Sequence, residues 1–81
     1  MKDLLIYILQ NIVNHPNDIN IEEKIENYNG RDRKVFEITV NPEDIPFVIG
    51  KKGKTIQSIR NIVKIRAVKD GTYVDVSVKE N

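Results

Sequence analysis

The chain has 81 residues, 40% hydrophobic and 31% charged, enough for one small core and too few for a second domain or a large cleft between domains. It has no cysteine, which excludes a disulfide framework, a thiolate zinc site and a thiol nucleophile, and points to a reducing, cytoplasmic setting. Its net charge is only +1, yet residues 50–69 carry seven of the thirteen basic side chains (Lys51, Lys52, Lys54, Arg60, Lys64, Arg66 and Lys69) and none of the twelve acidic ones. Such a segment makes a local positive field on a chain that otherwise repels polyanions. The longest apolar run, residues 4–9, is far below the roughly 20 residues that span a bilayer, and it lacks the features of a signal peptide. No membrane association is expected.

Leu4, Leu5, Ile8, Leu9 and Ile12 recur at helical spacing, with Asp3 placed to cap the start and Asn14-His15-Pro16 to stop the helix. Ile19, Ile21 and Ile25 then suggest a half-buried strand, although Glu23 breaks the alternation. Asn29-Gly30 supplies turn chemistry, Arg31 to Arg33 extend the loop, and a second strand follows from Lys34 to Val40 with Phe36, Ile38 and Val40 on one face. The two strands read as an antiparallel hairpin. Pro46 fixes the next element: with Asp44 as its cap, Pro46 falls in the first turn, where no amide is missed, and a short helix runs from about Ile45 to Ile49. Gly50-Lys51-Lys52-Gly53 interrupts it, and a longer helix follows from Lys54 to about Val68 with Ile56, Ile59, Ile62, Val63 and Ala67 as its core stripe. After Asp70-Gly71, Val74, Val76 and Val78 alternate in a last strand. A hairpin followed by a crossover through two helices brings this strand parallel to the second one. The reading is an α+β fold, with one three-stranded mixed sheet packed on one face by three helices.

Within Val48-Ile49-Gly50-Lys51-Lys52-Gly53-Lys54-Thr55, two glycines flank two lysines between helices. Glycine has no side chain to hold a phosphate away, and the first amides of the following helix are unpaired. Phosphate contact is the expected role, against the plainer reading of a tight turn with surface lysines. The letters Gly53-Lys54-Thr55 also resemble the end of a nucleotide-binding P-loop, but the required first glycine is Val48 and the preceding element is a helix. His15 reads as a surface residue at a helix end, and Glu22, Glu23 and Glu26 as a solvated strand edge. No catalytic constellation, metal site, cofactor or small-molecule substrate is indicated. The five aromatic residues show no stacking pattern for a sheet surface. Ile65 and Val68 fall opposite the core stripe and suggest a small association surface, giving a weak two-fold dimer of this helix against its copy.

The order helix, strand, strand, helix, helix, strand, with Val48-Ile49-Gly50-Lys51-Lys52-Gly53 followed by Ile56 and Ile59-Arg60, resembles the type II, or prokaryotic, KH domain. The resemblance covers residues 1–81 and is closest to small stand-alone bacterial RNA-binding members of that family. Pro46-Phe47 and Lys64-Ile65-Arg66 depart from its usual pattern. The resemblance implies a groove for about four nucleotides of single-stranded RNA, floored by Val48, Ile49, Ile56 and Ile59. The backbone would be gripped by Gly50 and Gly53, with Lys51, Lys52, Lys54 and Arg60 on phosphates. It also implies a cytoplasmic, non-enzymatic RNA chaperone or post-transcriptional regulator linked to cell shape and cell wall biogenesis. Its partner would be a second copy or a larger multidomain KH protein of the Jag type, through Ile65 and Val68. The alternative is an interaction subunit that acts mainly through that pairing.

Overall fold

In the computed structural model, which describes residues 1–79, the first helix, α1, spans Lys2–Gln10 and buries Leu5 and Leu9. Asp3 does not cap it. Met1 holds that position, and Asp3 sits in the first turn, where a carboxylate favours the positive end of the helix. Beyond α1, the Ile12 and Val13 N–H groups both donate to the Leu9 carbonyl at 3.0 Å, which brings Val13 into the core.

The strands β1 (Asn20–Tyr28) and β2 (Arg31–Thr39) pair antiparallel across Asn29-Gly30, a two-residue turn of type I′. Because this turn twists with its strands, pairing begins at once with Tyr28 opposite Arg31, so Arg31 to Arg33 belong to the strand and not to a loop. Ile19 precedes β1, at the end of a single 3-10 turn over Pro16–Asp18. Ile21, Glu23 and Ile25 share the helix-facing side, opposite Ile38, Phe36 and Lys34. The far half of the hairpin reaches past the helices, so Ile21 is buried while Ile25 is 67% exposed, and Glu23 pairs with Lys34 at 3.3 Å. Ile25 is therefore not the half-buried residue expected, and the same overhang explains the charge at Glu23.

The last strand, β3 (Val74–Val78), lies parallel to β2, and the sheet order is β1-β2-β3. Between β2 and β3 come α2 (Ile45–Ile49) and α3 (Lys54–Lys69), which with α1 cover one face of the sheet. Leu5, Leu9, Ile38, Val48, Ile59, Val63 and Val76 form the centre of the core. On α3 the buried stripe is Ile56, Ile59, Val63 and Ala67. Ile62, expected in that stripe, is 45% exposed, because it stands at the border of an arc already filled by Ile59 and Val63. Ile65 and Val68 are 72% and 78% exposed, as the helical wheel placed them.

Asp44 holds the N-cap position of α2 and Pro46 lies in its first turn, but the Asp44 carboxylate does not cap the helix. It is fully buried and accepts hydrogen bonds from the backbone N–H groups of Asn14 (3.1 Å) and His15 (2.9 Å), with His15 Nδ1 at 3.0 Å. His15 is thus a structural tie rather than a plain surface residue. Burial by itself would raise the Asp44 pKa. The hydrogen bonds from Asn14 and His15, with attraction to the imidazole, outweigh that and hold the carboxyl below its ordinary value of 3.8. Asn41 does the capping one turn earlier, its side chain accepting from Glu43 N–H at 2.9 Å within the 3-10 turn Pro42–Asp44.

Candidate nucleic-acid interface

α2 ends where Gly50 turns to φ 78°, ψ 171°, a region open essentially only to glycine. A side chain there would run into Thr55, with a Cβ 2.6 Å from the Thr55 Cβ and 2.8 Å from its backbone nitrogen. Gly53 is also left-handed (φ 74°, ψ 14°), and between them Lys52 adopts φ 57°, ψ 27°, a conformation that costs a non-glycine residue roughly 1–2 kcal/mol. The four residues close on themselves, with the Gly53 N–H donating to the Gly50 carbonyl at 3.1 Å and the Lys54 N–H to the Lys51 carbonyl. The N–H groups of Lys51 and Lys52 have no acceptor among the described residues. Two adjacent free amides on a tight turn have a geometry suited to an anion.

The lysines of the loop stand in solvent, and among the described residues Lys51, Lys52, Lys54 and Arg60 take part in no ion pair. Arg60 is half-buried, one helical turn beyond Ile56, and its Nε donates to the Val76 carbonyl of β3 at 2.9 Å. The four apolar residues read as a groove floor differ in access. Val48 and Ile59 lie wholly in the core, Ile56 is nearly so, and Ile49 is partly open. The structure therefore gathers the glycines, the lysines, Ile49 and Ile56 around the junction of α2 and α3, with Val48 and Ile59 beneath them.

Other surfaces are less suited to a polyanion. The sheet face turned away from the helices carries interleaved charges that satisfy one another: Lys24 with Glu37 (3.4 Å), and Arg33 with Glu26 (3.3 Å) and Asp75 (3.8 Å). Shallow depressions at the overhanging end of the hairpin are lined by Arg31, Asp32, Arg33, Lys34 and Tyr73, but Arg33 and Lys34 are already paired. Among the described residues no group of three or more His, Asp or Glu side chains could hold a metal ion, and no helix is long and apolar enough to cross a membrane.

A family model described as "KhpA/KhpB, KH domain" matches residues 2–78. The chain belongs to the KhpA/KhpB KH-domain family. It is similar to proteins named RNA-binding protein KhpA from Chlamydia caviae (35% identical over all of this chain and 99% of the relative) and Clostridium perfringens (35% identical over 96% and 99%). It also resembles one from Thermotoga maritima, 45% identical over 74% of this chain and 75% of the relative. No solved structure matches. As a KH domain of this family, the chain has the type II order of elements, with the glycine loop between α2 and α3. Reading the sequence missed the Asp44–His15 tie and the placement of Arg60 against β3. Each joins segments distant in sequence, and the only local signal was the position of Asp44 before Pro46.

Proposed function

We propose that this chain binds single-stranded RNA by its backbone and acts as a cytoplasmic, non-catalytic RNA chaperone or post-transcriptional regulator. The observation that carries this reading is the loop itself: adjacent amides at Lys51 and Lys52 that, among the described residues, have no partner, held by Gly50 and Gly53 and surrounded by lysines that make no ion pair there. The relatives named as RNA-binding proteins support it. In this reading Lys51, Lys52 and Lys54 meet phosphates, joined by the Nη groups of Arg60, whose Nε is engaged by Val76. Ile49 and the open margin of Ile56 touch bases, while Val48 and Ile59 shape the floor from below. Electrophoretic shift of short single-stranded RNA across a salt series tests it, with an expected logarithmic slope of about 0.7 per phosphate neutralised. Lys51→Asp with Lys52→Asp alters exposed positions only, so the variant should melt like the parent and lose RNA binding. A folded variant that binds as well as the parent would overturn the proposal.

A second reading is favoured by the exposed stripe Ile62, Ile65 and Val68, spaced three residues apart on α3. In that reading the surface pairs two copies, or joins this chain to a larger multidomain KH protein of the Jag type.

A further inference from the structure

β3 is an outer strand of the sheet, so among the described residues one of its edges has no neighbouring strand. The Lys34 N–H donates to the Tyr73 carbonyl at 3.0 Å, and the Lys79 N–H to the Ile38 carbonyl at 2.8 Å. That register directs the odd-numbered residues of β3 towards β2 and turns the backbone groups of Val74, Val76 and Val78 outward. On an extended residue the outward N–H and C=O lie side by side, a donor next to an acceptor. The Watson–Crick edge of an unpaired base has the same character. At Val76, in the middle of this edge, both groups are taken. Arg60 Nε, reaching down from α3, donates to the carbonyl at 2.9 Å, and Asp75 Oδ1 accepts from the N–H at 2.8 Å. Arg33, 3.8 Å from Asp75 Oδ2, helps to hold that carboxylate in place.

We infer that Arg60 and Asp75 are specificity-determining residues that close the β3 edge to bases and make the groove tolerant of sequence. The inference rests on the RNA reading above. RNA gripped at the glycine loop and laid along α3 brings its bases towards the space that Arg60 spans, beside Val76. With that edge occupied, the groove holds RNA by phosphate contact and apolar contact with base faces, neither of which distinguishes one base from another. Removing the two caps exposes a donor–acceptor pair that does.

The test measures affinity for single-stranded octanucleotides rich in A, C, G or U, using the parent, Asp75→Ala, and Arg60→Met combined with Asp75→Ala. The parent should bind all four within about threefold, and the variants should spread them to about tenfold or more, the discrimination a bidentate base contact supplies. Unchanged ratios in variants that still bind would overturn this inference alone. A parent that binds none of the RNAs would overturn the RNA reading and this inference with it. Hydrogen exchange of the Val76 amide gives a measurement independent of variant folding. In the parent it should be protected although it faces away from the sheet, and exchange at the rate of an open amide would also overturn the inference.

Discussion

The Asp44 carboxylate joins the start of α2 to the segment after α1, taking both the Asn14 and His15 N–H groups into a site closed to water. A buried carboxylate is tolerable only with such partners. Asp44→Asn keeps the shape but supplies one acceptor oxygen where two are used, so the melting temperature should fall by about 5 °C or more. The pH dependence has a definite sign. The folded-state pKa of Asp44 lies below 3.8, so the unfolded chain binds the proton more readily. Its stabilising contribution is complete above that ordinary value and is lost as pH falls through the lower folded-state value. Melting curves between pH 6 and pH 2 should show a shallower acid loss in Asp44→Asn than in the parent. The two loop glycines differ as well. Gly53→Ala meets nothing within 4 Å and should cost only the left-handed penalty of about 1–2 kcal/mol. Gly50→Ala collides with Thr55 and should distort the loop, lowering RNA affinity more than Gly53→Ala does in the same shift assay.

Among the elements, α3 serves two purposes. Ile56, Ile59, Val63 and Ala67 fasten it to the sheet, while Ile62, Ile65 and Val68 leave an apolar strip in solvent. Sedimentation at several concentrations should show weak self-association of the parent that Ile65→Asp abolishes. A parent that is monomeric throughout, or a variant that dimerises equally well, would remove this strip from consideration. Neighbouring Lys69, which pairs with no carboxylate among the described residues, limits the strength of such a pair, since like charges would approach across it. The hairpin, the phase of α2 and the loop were legible in the sequence because a period of two, a proline and paired glycines are local signals. Ile62 and Ile25 were misjudged because burial depends on how far a neighbouring element extends, which the pattern of one element does not record. The ties of Asp44 to Asn14 and of Arg60 to Val76 were hidden for a related reason: they span 30 and 16 residues.

At the scale of the whole molecule, charge is sorted by surface. The open face of the sheet neutralises itself through Lys24, Arg33 and their acidic partners, and among the described residues most of the cations without an ion pair (Lys51, Lys52, Lys54, Arg60, Lys64 and Lys69) lie on the glycine loop and α3. A net charge of +1 therefore conceals a directional molecule, whose RNA affinity should weaken with salt while its fold does not. The mixed sheet also governs when this polarity comes into being. β1 and β2 meet through a two-residue turn and can zip together within microseconds. β3, in contrast, pairs Val74 with Lys34, forty positions earlier, and must close a long excursion of chain before any of its contacts form. The glycine loop lies inside that excursion, and its strained turn is held only once α2 and α3 are docked on both sides. Under the proposed RNA reading, a chain with only its hairpin paired should therefore not hold RNA, and affinity should appear only as β3 closes against β2.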